Sequence, residues 1–237
     1  MEGLLSFNQT DYPFQLFSLS HICMVLLTLG LLICMYIFRG SIRGTNKRLF
    51  KYALIAFLIL GEVSFHVWYL LNDRWDVLIN LPFQLCSISL YLCTIMLLTR
   101  NYKVFEVSFF VSMIGAFVAL VTPELFFGFP HMRFIQFFIA HITIILSCFY
   151  MVWIEEYKPT LGSVMRAFIV LNIMAGFVFI VNKLIGSNYM FLAEKPINAS
   201  IIDYLGPYPW YIIPLEVMAL TLFMLLYFAV IKLQKGN

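Results

Sequence analysis

The sequence predicts an all-α membrane protein, one bundle of seven transmembrane helices, and three observations lead there. Of 237 residues, 62% are hydrophobic. Only 27 are charged, 15 Lys or Arg and 12 Asp or Glu, about half the share found in an ordinary globular domain. A membrane-crossing helix uses ~20 mostly apolar residues, so seven of them consume nearly the whole apolar stock. That excludes a soluble globular domain and a disordered chain. A net charge of +3, spread along the chain, also excludes a phosphate-tracking patch, so no nucleic acid is expected as a partner.

The apolar runs place spans at 14–38, 52–71, 79–98, 104–121, 134–154, 165–185 and 210–231, all within a single domain over 1–237. Residues 1–13 hold Glu2 and Asp11 and no Lys or Arg, so the basic opening of a secretory signal is missing and the first helix should be retained. The second span carries Glu62 and His66, and the third begins near Pro82, a residue suited to a first helical turn. In the fourth, Ser108, Ser112, Gly115, Ala116 and Ala119 form a small-residue stripe for close packing. Trp153 and Trp210 fall near span ends, as interfacial anchors do. The five cysteines (Cys23, Cys34, Cys86, Cys93, Cys148) all lie in apolar runs without metal-knuckle spacing, which argues against a disulfide framework.

Orientation follows from the basic residues. Arg39, Arg43, Lys47, Arg48, Lys51, Arg100, Lys103, Lys158, Arg166, Lys232 and Lys235 belong to one side, against Arg74, Arg133, Lys183 and Lys195 on the other. Lys and Arg stay cytoplasmic, so the amino terminus is expected outside and the carboxyl terminus inside a multi-pass cell-membrane protein.

Ionisable groups inside a bilayer are costly unless paired or solvated, so each one is a functional candidate. At ~1.5 Å per residue, His66 and Glu216 lie ~8–9 Å from the outer ends of their spans, and His21 and His141 ~10 Å. Glu62 lies deeper and shares a helix face with His66, four residues on. Glu106 sits near the inner end, within reach of Lys103 or the interface. His21, Glu62, His66, Gln84, His141 and Glu216 therefore suggest a polar cavity in the outer half of the membrane. Cys86 follows Asn80-Leu-Pro-Phe-Gln-Leu, and a helix amino terminus favours a thiolate. On an ideal helix, however, the polar stripe is Asn80, Gln84, Ser87 and Tyr91, and Cys86 points some 120° from Asn80, with Ser89 and Cys93. Spacing alone leaves open whether Cys86 is a nucleophile or a packed hydrophobe.

The long connection, 186–209, is too aromatic for a solvated linker and suits a cap lying on the bilayer surface. Its Asn188-Tyr189-Met, Lys195-Pro196, Asp203-Tyr-Leu-Gly206-Pro207 and Pro209-Trp210-Tyr211 motifs, with the Leu-Pro-Phe-Gln-Leu-Cys86 run and His141, resemble the YwaF-type bacterial integral membrane proteins across essentially the whole chain. That family is related to a eukaryotic transmembrane acyltransferase that remodels ether phospholipids. The resemblance implies Cys86 as acyl acceptor and His141 as base. Asn188, Tyr189, Lys195 and Asp203 serve as the loop signature.

Three functions are consistent with these residues. The first is a cofactor-free phospholipid acyltransferase or transacylase acting on membrane phospholipids or lysophospholipids, with Gln84 or the amino terminus of the third span steadying the oxyanion. The second is a metal-dependent lipid hydrolase with His21, His66 and His141 as ligands. The third is a lipid or small-ligand receptor or transporter.

Overall fold

The computed structural model describes residues 3–198 and 200–235, with side chains as far as residue 232. Glu2, Ala199 in the Asn198-Ala-Ser200 sequon, and the side chain of Lys235 lie outside the described residues. The helices are α1 (Leu19–Ile37), α2 (Arg39–Gly44), α3 (Lys47–Leu71), α4 (Leu85–Thr99), α5 (Tyr102–Val121), α6 (Met132–Trp153), α7 (Leu161–Ile185) and α8 (Ile212–Lys235). Two short 3-10 turns, at Tyr189–Phe191 and Ile201–Leu205, lie in the long loop. There is no strand among the described residues.

Six helices, α1, α3, α5, α6, α7 and α8, are long and apolar enough to cross a membrane. The expected third span is the exception, because α4 has only 15 residues. Instead of starting at residue 79, it starts at Leu85. Pro82 has no N–H to join a helical ladder and biases Leu81 towards extended backbone. The chain turns at Leu81 (Phe83 N to Leu81 O, 2.8 Å), and Gln84 stays extended as the N-cap (ψ 142°). Fifteen residues span about 22 Å, short of a ~30 Å hydrocarbon layer.

The other ends shift for local reasons. Before α1, residues 14–18 are non-helical; Phe14 N bonds Phe126 O and Ser18 caps the helix. α7 begins four residues early because Thr160 and Ser163 form a capping box. α2 is a short helix that the apolar pattern does not reveal.

α5 and α6 form the centre, whereas α1, α7 and α8 present most of their surface outward. The small-residue stripe on α5 does what its composition suggests. Ser108, Ser112 and Ala116 are buried, and a Cβ on Gly115 would lie 3.1 Å from Leu85 Cδ2 on α4. Glu106 is buried too, but its partners are on α7 rather than at Lys103: Ser163 Oγ donates at 2.5 Å, Arg166 Nε donates at 2.9 Å, and Arg166 Nη2 adds a further bond.

The two ends of the bundle differ in character. At one end Glu155, only 7% exposed, accepts from Lys47 (2.9 Å), Arg100 (3.3 Å) and the Tyr150 hydroxyl (3.0 Å). At the other end the amino-terminal segment, the α5–α6 connection and the long loop lie together. Trp68 Nε1 donates to Leu5 O, and Asn198 N donates to Glu124. His131 caps α6 there through Nδ1 and bonds Ser6 O through Nε2, and burial holds its pKa below the usual histidine value.

Two outcomes test this packing. Glu106→Gln leaves Arg166 without its anion and should cost about 1–3 kcal/mol, read as a lower thermal midpoint in detergent. Burial, helped by Asp203, raises the Glu124 pKa despite the N–H groups of Ile197 and Asn198. A raised carboxyl pKa means the folded state holds its proton longer than the unfolded chain, so that contribution to stability fades as pH rises through the raised value. The midpoint of wild type should therefore fall relative to Glu124→Gln as pH climbs above the ordinary carboxylate range; parallel pH profiles would refute it.

Candidate active site

The site grows from the register between α4 and α6. Cys86 Sγ lies 3.0 Å from His141 Nε2, and one heptad further along, Cys93 Sγ lies 4.0 Å from Cys148 Sγ. Both pairs are 55 residues apart in sequence. A constant offset over seven residues, two turns or ~10.5 Å, is what parallel helices in register produce. The face that carries Cys86, Ser89 and Cys93 away from the polar stripe therefore points at α6. At Cys86 it meets an imidazole rather than apolar packing.

His141 is almost fully buried, while Cys86 is partly exposed. His141 Nδ1 lies 2.7 Å from the Phe137 carbonyl, one turn earlier on α6. A carbonyl can only accept, so Nδ1 carries the proton and Nε2 is left as an acceptor facing the thiol. The Phe137 ring sits 4.1 Å from the imidazole and further limits its rotation. With α4 starting at Leu85, Cys86 occupies the first helical turn. The first α4 backbone bond is Ile88 N to Gln84 O, so the N–H groups of Leu85, Cys86 and Ser87 precede the ladder.

A second polar group adjoins this pair. Glu62 accepts from Ser87 Oγ (3.1 Å), the Tyr91 hydroxyl (3.3 Å) and His66 Nε2 (3.4 Å). His66 Nδ1 accepts from Trp75 Nε1 at 3.2 Å. Ser87 is the neighbour of Cys86, so the carboxylate ties α3 to the turn that bears the thiol. Gly61 lets α3 approach: a Cβ there would stand 3.2 Å from Ala140 Cβ, beside His141. Gln136 Nε2 donates to Gly61 O at 2.7 Å and Gln136 Oε1 accepts from Arg133. The Arg133 guanidinium stacks 4.6 Å over the Phe65 ring and lies within electrostatic reach of Glu62 and His141.

The remaining candidates separate. His21 Nε2 lies 2.8 Å from Leu120 O and its Nδ1 accepts from Phe17 N, so it fastens α1 to the end of α5. Glu216 accepts from Asn172 Nδ2 at 2.9 Å on the outward-facing α7–α8 side. Gln84 Oε1 accepts from Met190 N, which leaves its carbonyl engaged with the loop. No three His, Cys, Asp or Glu side chains among the described residues converge as metal ligands, so His21, His66 and His141 do not form the expected alternative set. Nor do the two described clefts reach the pair: one of about 390 Å³ is lined by Arg43, Lys47 and Arg100, the other of about 270 Å³ by Glu106 and Arg166. Cys86, Ser87, His66 and Tyr91 form a partly exposed line along α3 and α4.

The loop signature is architectural. Tyr189 is buried; its hydroxyl donates to Val77 O (2.6 Å) and accepts from Leu81 N (2.9 Å), while Asn182 brackets its backbone. Asn188 Oδ1 accepts from Ala193 N and Glu194 N. Lys195 Nζ donates to Asp203 O, and Asp203 Oδ2 accepts from Ser200 N. Met190 (φ 59°) and Phe191 (φ 54°) hold left-handed backbone, a strain of ~1–2 kcal/mol each that these clamps offset.

Sequence reasoning passed over Arg133 and Trp75 as site residues. Arg133 stands eight residues before His141, about two turns on the same face, which was the available signal. Trp75 lies in a connection and has no periodicity to place it.

A search of curated proteins and a search of solved structures each return no match. A family model matches residues 16–227, a stretch that includes all six long apolar helices as far as Tyr227, α4, Cys86 and His141. On that match the chain belongs to the TMEM164 family, a family of transmembrane proteins.

Proposed function

We propose that this protein is a membrane phospholipid acyltransferase or transacylase that works through a thioester on Cys86. The observation that carries the reading is the 3.0 Å approach of Cys86 Sγ to a His141 Nε2 kept free to accept by the Phe137 carbonyl. The resemblance of the loop signature and of the Leu-Pro-Phe-Gln-Leu-Cys86 run to YwaF-type proteins, and through them to an ether-phospholipid acyltransferase, supports the same chemistry. The chain crosses the cell membrane seven times, α4 and the irregular residues 79–84 making the third passage, with the amino terminus outside.

In the first half-reaction His141 Nε2 takes the thiol proton and Cys86 Sγ attacks the ester carbonyl carbon of a donor phospholipid. The tetrahedral oxyanion is met by backbone N–H groups of the opening turn of α4 or by the Gln84 side-chain amide N–H, whose Oε1 is held by Met190 N. As the C–O bond breaks, the proton on Nε2 passes to the departing lysophospholipid oxygen, leaving an acyl thioester. In the second half an acceptor lipid hydroxyl gives its proton to Nε2 and attacks the thioester; the C–S bond breaks and the thiol regains its proton. Glu62, through Ser87, positions the turn that carries Cys86.

Acyl exchange on labelled phospholipids should fall to background in Cys86→Ala and by about 10²–10⁴-fold in His141→Gln. Rates equal to wild type in Cys86→Ala would sink the proposal, and ligand binding unchanged in both variants without turnover would favour a receptor or transporter. For topology, a cysteine introduced at Asn8 should react with an impermeant maleimide on intact cells while one at Thr45 should not; the reverse pattern would invert the orientation.

A further inference from the structure

At the end of the bundle opposite the Cys86–His141 pair, the cleft of about 390 Å³ is lined by Arg43, Gly44, Thr45, Lys47, Arg48 and Arg100. Its volume falls in the range of ordinary ligand sites, ~300–1,000 Å³. Every charged side chain in its lining is cationic. Two carboxylates stand behind three of them: Glu156 pairs with Arg43 at 2.9 Å, and Glu155 with Lys47 at 2.9 Å and Arg100 at 3.3 Å. Four cations against two anions leave two positive charges in excess. Arg48 has no carboxylate partner among the described residues.

A cytoplasmic excess of Lys and Arg would account for cations at this end, but not for their being held in place. Arg43 Nε and Nη2 both donate to Trp153 O, at 2.9 and 2.6 Å. Arg100 lines the cleft while its Nε stands 3.3 Å from Glu155, so its guanidinium is held at the cleft wall. The level is that of a head-group layer. Trp153 anchors Arg43, Tyr36 packs edge-on against Trp153 at 5.2 Å, and Lys51 lies 4.7 Å over the Tyr52 ring, the arrangement of an aromatic belt. Fixed guanidinium groups at that depth match phosphate oxygens, which accept charge-assisted bonds in a planar fork.

We propose that this cleft binds the phosphate of an anionic phospholipid head group. The site stands apart from the acyl-transfer reading and would exist whatever reaction the protein performs.

The test uses the full-length protein in detergent, with native mass spectrometry reading binding of short-chain phosphatidylglycerol against short-chain phosphatidylcholine. Phosphatidylglycerol should bind in preference. Arg48→Gln should weaken it about fivefold, the loss expected for one basic residue near a membrane surface, with Arg48→Lys restoring most of it. Arg39→Gln, which removes the same charge outside the cleft, should leave binding unchanged. Arg48 is exposed, so both Arg48 variants should keep the wild-type thermal midpoint. Equal binding of the two lipids, or an equal loss in Arg39→Gln, would overturn the proposal. Displacement of phosphatidylglycerol by inorganic phosphate would overturn the head-group assignment in favour of free phosphate.

Discussion

Backbone polar groups that lose the helical ladder must find other partners within the protein, and the stretch before α4 is where this constraint shapes everything around it. Pro82 prevents the helix from starting at residue 79, so six residues of irregular chain need bonds from elsewhere. Tyr189 supplies one of them from 108 residues away, accepting from Leu81 N, while its hydroxyl donates to Val77 O just before the stretch. Gln84 and Met190 close the same contact from the other side. The long loop is therefore a structural clamp: it fixes where α4 begins, and with that the turn on which Cys86 sits.

The start of α4 then acts through helix register. Because α4 and α6 run parallel, a fixed offset brings Cys86 to His141 and Cys93 to Cys148. A shift of α4 by one residue would turn Cys86 by ~100° and separate the pair. Gly61 and the small stripe of α5 serve the same end, allowing α3 to close on Ala140 of α6 and α5 to close on Leu85 of α4. Glu62 adds a polar lock, since three donors from α3 and α4 meet on one carboxylate.

Electrostatics divides the molecule along its length. One end collects arginines and lysines around Glu155 and Glu156, anchoring the connections between helices while keeping positive charge in excess. The other end holds few cations, and Arg133, the one beside the thiol–imidazole pair, is covered by Phe65 and tied to Gln136. Several of the charges left in the apolar stretches join neighbouring helices. Glu106 holds α7 through Arg166 and Ser163, and Glu216 links α8 to Asn172 on α7.

Composition and apolar run length by themselves determined the all-helical membrane class and six of the long helices, because the bilayer imposes a length and a polarity that no packing detail can alter. They also marked Glu62 with His66, through a spacing of four, and the small-residue face of α5. Where α4 begins could not be read from hydropathy, since Leu81, Phe83 and Leu85 are equally apolar on both sides of that boundary. Nor could hydropathy tell His21, which serves two backbone groups, from His141, which meets a thiol, because both are lone histidines at similar depth. The meeting of Cys86 with His141 depended on the parallel register of two helices 55 residues apart. That register is set by Tyr189, Gln84 and Gly61 through contacts distant in sequence, and only the tertiary structure decided it.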